Sequence, residues 1–182
     1  MLKKKPAHIG TLSPEMALLG LLYGAAGHGY DLHRKVVGEL SQVWHLSQSQ
    51  AYSILKRLAV QGDISTDQNP QEEQPFRQLL RITRKGRQRF LEWLNATSGG
   101  STRAIRMEFV TRLYFLNQYF PEKVAHAFEL QREAVKFHIR RLENTRDNLL
   151  TDDIYNRMSL DLRLTQLQSV LEWLDECQKH FQ

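Results

Sequence analysis

Apolar residues recur along most of the chain at the three- and four-residue spacing of amphipathic helices, with one strand-like stretch near residue 65. Before residue 95 this pattern predicts four helices, at about residues 14–23, 30–41, 48–61 and 83–94. Residues 63–66 and 76–82 can pair as a small β-hairpin across the polar segment 67–74. We expect Ser13 to cap the first helix and Gly62 to end the third.

The second half of the chain is predicted to be entirely helical. Residues 96–102, with two glycines at their centre, indicate a flexible linker between a domain of residues 1–95 and a domain of residues 103–182. Three helices follow the linker, at about residues 105–119, 121–148 and 151–179. The last helix carries a heptad seam formed by Leu160, Leu164, Leu167, Leu171 and Leu174. Such a seam packs against another helix, and the pattern does not decide whether that helix belongs to the same chain or to a second one.

The third predicted helix has the most informative faces. It opens with a capping box, Ser47 to Gln50, and its apolar stripe is formed by Ala51, Ile54, Leu55, Leu58 and Ala59. The opposite face carries Ser49, Ser53, Lys56 and Val60, flanked by Tyr52 and Arg57. Small hydroxyls, an amide and cations suit a DNA groove, whereas the alternative interpretation is the ordinary solvated face of a soluble helix.

Basic residues crowd the second predicted strand and the start of the fourth helix. They are Arg77, Arg81, Arg84, Lys85, Arg87 and Arg89. Three short helices followed by a basic hairpin are the order of a winged helix-turn-helix, in which some of these cations would face phosphates. The alternative is that Arg87 and Arg89 form the solvated side of the fourth helix.

The charge distribution favours a nucleic-acid partner for the first half. The chain has a formal net charge of +5, and residues 1–95 carry all of the excess, with 13 Lys and Arg against 8 Asp and Glu. One cysteine, Cys177, excludes a disulfide scaffold, so we expect a reducing, cytoplasmic location. The longest apolar run, residues 16–26, is too short to span a membrane. A secretory signal is the alternative there, although a helix start at Pro14 explains the run better.

No sequence motif indicates an enzyme, a metal site or a cofactor. The seven histidines lack metal-ligand spacing, and no nucleophile elbow or glycine-rich phosphate loop is present. We therefore expect no catalytic activity and no metal. Three alternatives to a DNA-binding protein stay open: a helical adaptor whose winged helix binds protein, an RNA-binding protein, and an enzyme without a recognisable motif.

The first ninety or so residues resemble the PadR family of bacterial transcriptional regulators. The resemblance lies in a Gly-His-Gly-Tyr turn at residues 27–30, a Ser-x-Ser-x-x-Tyr-x-x-Leu-x-Arg-Leu pattern at residues 47–58, and a Thr-x-x-Gly after the hairpin. Residues 105–123 resemble the longer helical C-terminal region of one branch of that family, which is similar to virulence activator alpha. The resemblance covers nearly the whole chain.

The resemblance implies a mainly α fold, with an N-terminal winged helix-turn-helix, a small β-hairpin wing and an all-helical C-terminal dimerisation domain. It places the third helix at DNA, and the predicted contacts are Ser47, Gln48, Ser49, Gln50, Tyr52, Ser53, Lys56 and Arg57. Weaker candidates are His28, Tyr30 and Lys85. The family's wing usually carries Gly-Arg-Pro where this chain has Glu73-Gln74-Pro75, so Arg77 is the nearest wing cation for DNA.

Function follows from the same resemblance. It implies a homodimeric, sequence-specific regulator of transcription, in our prediction a repressor, that binds double-stranded DNA at an inverted-repeat operator. The leucine seam of the last helix would form the dimer contact. A small, flat aromatic effector could bind between the two domains, where Trp93 is the candidate stacking residue. The alternative for Trp93 is ordinary packing at the domain junction.

Overall fold

A nearly all-apolar first helix organises the amino-terminal half of the protein. The computed structural model describes residues 12–66, 78–150 and 152–181, and the chain divides into two compact units, Met1–Ala96 and Thr97–Gln182. In the first unit the helices are α1 (Glu15–Gly24), α2 (Gly29–Glu39), α3 (Gln48–Val60) and α4 (Arg84–Leu94). Helix α1 is buried on almost every side, and it packs against α2, α3 and α4.

A small antiparallel sheet completes this unit. Its strands are β1 (Gly27–His28), β2 (Ile64–Thr66) and β3 (Leu79–Ile82), in the order β1-β3-β2. Ile64 pairs with Ile82 across the predicted hairpin, and Gly27 pairs with Leu80 at the other edge of β3. The winged helix-turn-helix prediction is confirmed. The third strand was missed because a two-residue strand between turn residues carries no alternation of its own.

Local signals at the helix ends explain most of the boundaries. The Thr83 hydroxyl accepts a hydrogen bond from the Gly86 amide at 3.1 Å, so Thr83 caps α4. Gly62 adopts φ +74° after α3, a left-handed conformation that favours glycine. The prediction for Ser13 was wrong, because α1 begins at Glu15 with Pro14 at the cap position and no side-chain cap. Proline at that position already fixes the backbone angle φ.

The second unit is a set of helices. A short helix α5 (Thr102–Ala104), a π-helical turn (Ile105–Phe109) and α6 (Val110–Tyr119) follow one another without a break. A 3-10 turn (Pro121–Lys123) then leads into α7 (Val124–Asp147), and α8 (Ile154–Gln178) ends in a second 3-10 turn (Lys179–Phe181). Ion pairs join Arg132 to Asp175 and Arg146 to Asp161, so α7 and α8 run antiparallel as a helical hairpin.

The leucine seam of α8 lies in the buried core that α8 forms with α7. Leu160, Leu164, Leu167 and Leu174 are buried within the single chain and Leu171 is half-buried, while α7 contributes Phe128, Val135 and Leu142 to the buried core. The seam thus packs within one chain, and its predicted role in the dimer contact stays a prediction. The companion helix in the same chain is close enough in sequence to satisfy the heptad pattern first.

Part of the segment predicted as a flexible linker is buried and held by hydrogen bonds. Ser98 is 2% exposed, its amide donates to Gln131 Oε1 at 2.9 Å, and its hydroxyl accepts from Arg112 at 2.6 Å. Ser101 then caps α5 through the Ala104 amide. Within the described ranges no helix is both long and apolar enough to cross a membrane.

Candidate nucleic-acid interface

The start of α3 is fixed by reciprocal hydrogen bonds. The Ser47 hydroxyl accepts from the Gln50 amide at 3.2 Å, and Gln50 Oε1 accepts from the Ser47 amide at 2.9 Å. This is the predicted capping box. Ser49 adds a hydroxyl contact to Ser47 at 3.1 Å. The first turn of α3 therefore presents a defined set of exposed polar groups.

The two faces of α3 are those that the sequence predicted. Ala51, Ile54, Leu55 and Leu58 are buried, whereas Ser53, Lys56 and Val60 are exposed. The Ser53 hydroxyl donates to the Ser49 carbonyl at 3.0 Å, so it lies close against its own helix. Lys56 makes no hydrogen bond or ion pair within the part of the chain that the structure describes.

Arg57 has a different environment from Lys56. Its Nε donates to Glu15 Oε1 at 2.6 Å, and its Nη2 lies 2.5 Å from the same oxygen. The other oxygen of Glu15 accepts from Arg89 Nη2 at 2.6 Å, and Arg89 Nη1 pairs with Asp63. Glu15 thus joins α1 to both α3 and α4. This geometry places Arg57 in an intramolecular pair, and it does not support the predicted contact with DNA.

Lys85 is likewise engaged within the protein. Its ammonium donates to the Gln61 carbonyl just after the end of α3, and it lies 4.0 Å from Asp63 Oδ1. A cation at the end of a helix satisfies carbonyl groups that have no partner in the helix. Lys85 therefore stabilises the carboxyl end of α3. The residue was predicted as a weaker candidate for DNA, and its observed partner is the protein itself.

The remaining basic candidates also differ in whether they contact other side chains of the protein. Arg87 lies over the Tyr23 ring, with 4.5 Å from its guanidinium carbon to the ring centre, and Arg89 belongs to the Glu15 cluster. Neither of them is simply the solvated side of α4. Arg84 is exposed at the start of α4. Arg77 lies outside the described residues.

A groove runs along α3 beside the sheet. Its volume is about 480 Å³, and it is lined by Gly29, Tyr52, Ser53, Leu55, Lys56, Ala59, Thr66, Gln78 and Leu80. Of the weaker candidates, His28 is exposed on β1 and Tyr30 is exposed in the first turn of α2, on either side of Gly29. A Cβ on Gly29 would lie 2.7 Å from the Tyr52 ring, so this turn packs directly on α3.

Trp93 does not present a stacking surface. Its side chain is 4% exposed, and its ring packs against Phe90 with 5.9 Å between the ring centres. The alternative interpretation, ordinary packing, accounts for this environment. The described residues also contain no group of three or more His, Cys, Asp or Glu side chains arranged to hold a metal ion.

Sequence reasoning missed the cluster of Glu15, Arg57, Arg89 and Asp63. Glu15 and Arg89 are 74 positions apart, so no periodic pattern joins them. One signal was present, since Glu15 is an acid at the start of an otherwise apolar helix. An acidic side chain that is buried almost always has a partner, and two arginines fill that role here.

Three packed helices, a capped third helix with a polar outer face and a β-hairpin after it define a winged helix-turn-helix protein, a class that binds nucleic acid. Family profiles agree with this class. Residues 18–92 match the transcriptional regulator PadR-like family, and residues 105–182 match the virulence activator alpha C-terminal family. The chain thus consists of a domain of the PadR-like family of transcriptional regulators followed by a domain of the virulence activator alpha C-terminal family.

Individual relatives are distant. The negative transcriptional regulator PadR of Bacillus subtilis is 23% identical over 168 residues, which cover 87% of this chain and 92% of that protein. Its crystal structure in complex with operator DNA matches with a TM-score of 0.43 and 23% identity, over 92% of this chain and 98% of that one. The Vibrio cholerae virulence activator AphA matches with a TM-score of 0.42 and 20% identity, over 90% and 95% of the two chains.

Proposed function

We propose that the protein represses transcription by binding an inverted-repeat operator as a homodimer through the outer face of α3. The observation that carries this proposal is a contrast on α3: Lys56 is exposed and has no ion pair among the described residues, whereas Arg57 is paired with Glu15. The contacts we assign to DNA are Ser47, Gln48, Ser49, Gln50, Tyr52, Ser53 and Lys56. The curated relative's description as a negative regulator supports repression.

Base reading would come from the first turns of α3. The capping bond of Gln50 uses its Oε1 atom, so its Nε2 group is the part that can donate to a base edge. Ser49 and Gln48 are exposed beside it. Lys56 and the Tyr52 hydroxyl would hold phosphates, which fixes the register of the helix in the major groove.

The second copy would bind on the opposite side of α8 from the leucine seam. At 100° per residue, Tyr155, Met158 and Leu162 lie about 120–180° around α8 from Leu164. All three are exposed, as are Ile154 and Leu150 nearby in the sequence. A contiguous exposed apolar strip of this kind is typical of a protein contact. A two-fold contact along α8 would join two winged helices on one face of DNA, as an inverted repeat requires.

The proposed role of this strip in dimerisation is tested by measuring the molecular mass of the protein during gel filtration. Met158→Glu/Leu162→Glu is expected to elute as a monomer, because two charges would be buried in the dimer contact. The matched control, Asn117→Glu/Gln118→Glu, adds the same charge at exposed positions of α6 and is expected to remain a dimer. A dimeric strip variant would contradict this assignment of the contact.

Modulation by a small effector is also part of the proposal. Because Trp93 is buried, it is not offered as the stacking residue. A ligand can change DNA binding only by its unequal affinity for the two states of the protein.

The function is tested by selecting bound duplexes from a random pool at roughly physiological salt, where non-specific binding is weak. The wild-type protein should enrich an inverted repeat, and Tyr52→Ala/Lys56→Ala should not. Lys136→Ala, an exposed lysine of α7, serves as the control and should enrich the same sequence. A folded dimer that enriches no duplex would contradict the proposal and favour a protein partner for α3.

A further inference from the structure

We propose that Gln50 contacts one base pair in each half of the operator as a hydrogen-bond donor only, and that the base it contacts is guanine. This inference rests on the proposed function and deepens it, because it names one base of the sequence that α3 would recognise. It follows from the way in which the capping box holds the Gln50 side chain.

The capping box fixes the place of the Gln50 amide group. Gln50 is the third residue of α3, and its Oε1 accepts a hydrogen bond from the Ser47 amide at 2.9 Å. The Ser47 hydroxyl accepts from the Gln50 backbone amide at 3.2 Å. The side chain is therefore turned back to the amino-terminal tip of α3, where the residue is exposed. In helix-turn-helix proteins this end of the recognition helix contacts base edges in the major groove.

The same hydrogen bond decides which atom of the side chain is left for DNA. An unrestrained glutamine pairs with adenine through both amide atoms, with Oε1 as the acceptor and Nε2 as the donor. In this protein Oε1 faces the Ser47 backbone, so Nε2 is the atom left to face a base. Nε2 carries two hydrogens and accepts no hydrogen bond. Gln50 therefore offers donors only.

Guanine is the base that best matches a group of donors. In the major groove it presents two acceptors, N7 and O6, whereas cytosine presents the N4 donor. Adenine places a donor beside its single acceptor, and thymine places a methyl group beside its own. The preference for guanine over cytosine should be roughly fivefold to tenfold, which is the effect of one net hydrogen bond.

The neighbouring side chains of the first turn are not restrained in this way. Gln48 is exposed there but lies outside the capping box. The Ser49 hydroxyl lies 3.1 Å from the Ser47 hydroxyl, and a hydroxyl can rotate to donate or to accept. The polarity of Gln50 is set before DNA binds, and a side chain that is already ordered loses less entropy on binding.

Gln50→Glu is the variant that isolates this polarity. Glutamate is as suitable as glutamine at the third position of a capping box, so one carboxylate oxygen can keep the hydrogen bond from the Ser47 amide. The other oxygen then faces DNA as an acceptor, and cytosine, through N4, is the base that suits it. The preferred base should change from guanine to cytosine. Gln50→Met offers neither a donor nor an acceptor, and it should lose the preference at that base pair.

The experiment selects duplexes from a random pool with the wild type and with both variants. The base pair at which Gln50→Met loses its preference identifies the contact, and the four duplexes that differ at this pair are then titrated by fluorescence anisotropy. The wild type should bind the guanine duplex roughly fivefold to tenfold more tightly than the cytosine duplex, and Gln50→Glu should reverse that order. Each protein is compared with itself on duplexes of equal charge, so repulsion between the added carboxylate and the phosphates cancels.

The matched control is Gln118→Glu, the same change at an exposed position of α6, which should keep the wild-type order of the four duplexes. Hydrogen exchange of the Ser47 amide checks the premise without DNA. The exchange should be slow in the wild type and faster in Gln50→Met, because the capping bond protects this amide.

Several results would overturn the inference and leave the proposed function in place. They are a wild-type preference for a base other than guanine at this pair, a guanine preference that Gln50→Glu retains, and an equally fast exchange of the Ser47 amide in the wild type and Gln50→Met. A selected sequence that Gln50→Met leaves unchanged has the same meaning, and this comparison decides even where Gln50→Glu does not fold. If the wild type selects no duplex at all, the proposed function itself fails.

Discussion

Each unit of this protein contains a cluster of charged side chains with buried members, and the two clusters differ in how well their charges are paired. In the amino-terminal unit, Glu15 and Asp63 share the guanidinium groups of Arg57 and Arg89 at hydrogen-bonding distance. In the carboxy-terminal unit, Arg112 is 2% exposed, and its Nη2 lies 3.5 Å from Glu108 Oε2. Among the described residues, the arginines of the first cluster pair with two close acids, whereas Arg112 in the second pairs with one acid at a longer distance.

The pKa values of the two arginines follow from that difference. Burial alone would lower the pKa of Arg89, but hydrogen bonds and charges from Asp63 and Glu15 outweigh it, and the pKa is raised. Burial lowers the pKa of Arg112 to about 10, because Glu108 compensates only in part. Burial likewise raises the pKa of Glu108, against the effect of Arg112. The number and distance of partners decide whether a buried charge is compensated.

The clusters also fix different parts of the chain. The amino-terminal cluster ties α3 to α1 and α4, so it sets the orientation of the face that we assign to DNA. The carboxy-terminal cluster holds Ser98 through Arg112 and Gln131, while Gln131 Nε2 is buried without a hydrogen bond among the described residues. We expect the first cluster to contribute more to stability than the second.

The largest loss of stability is expected from Gly86→Ala, which would displace the backbone at Asp63 in the amino-terminal cluster. A Cβ at this position would lie 2.0 Å from the Asp63 carbonyl oxygen, so α4 and the turn before β2 must separate. The loss should be about 3 kcal/mol in the free energy of unfolding, measured in urea. Gly38→Ala is the control, since no atom lies within 4 Å of its Cβ, and it should be neutral or slightly stabilising. Equal stabilities for the two variants would contradict the close approach at Gly86.

Arg89→Met is expected to have the next largest effect. Among the described residues it leaves Asp63, which is 1% exposed, with Lys85 at 4.0 Å as its cationic partner, and it removes one of the two arginines that pair with Glu15. Breaking a fully buried pair costs about 3–5 kcal/mol, and partial exposure of Arg89 reduces this to about 2–3 kcal/mol. Arg112→Met, measured in the same way, should cost less, because Glu108 can take up a proton when its partner is gone. A larger loss for Arg112→Met would reverse our ranking of the two clusters.

A smaller effect is expected from Glu108→Gln, and its sign depends on pH. The folded protein holds a proton on Glu108 above the ordinary pKa of glutamic acid, so it binds more protons than the unfolded chain in that interval. The contribution of Glu108 to stability therefore falls as pH rises from about 4.3 through the raised pKa. Over this pH interval, the free energy of unfolding of Glu108→Gln, measured in urea, should rise relative to that of the wild type. A difference that is independent of pH would contradict the raised pKa of Glu108.

The comparison also shows which parts of the structure could be predicted from the sequence. The apolar stripe and the capping box of α3 are local patterns, so the helix and its two faces were predicted correctly. The leucine seam was found, but its partner helix was not, because a heptad pattern describes one surface and not what covers it. The pairing of Arg57 with Glu15 could not be predicted, because the two residues lie 42 positions apart, beyond any local pattern.

The smallest expected effect is a change in the salt dependence of DNA binding, and it differs between Lys56 and Arg57 on α3. Each phosphate contact contributes about 0.9 to the slope of log K against log salt, because one counterion is released. Lys56→Gln should reduce the slope for the selected duplex by about 1, since Lys56 has no internal partner among the described residues. Arg57→Gln should leave the slope unchanged and lower the stability instead, because its guanidinium is held by Glu15 at 2.6 Å. Both slopes are measured by fluorescence anisotropy at five salt concentrations, with circular dichroism as the check on folding. An equal fall in slope for both variants would mean that Arg57 leaves Glu15 to bind a phosphate, and the amino-terminal cluster would then open when DNA binds.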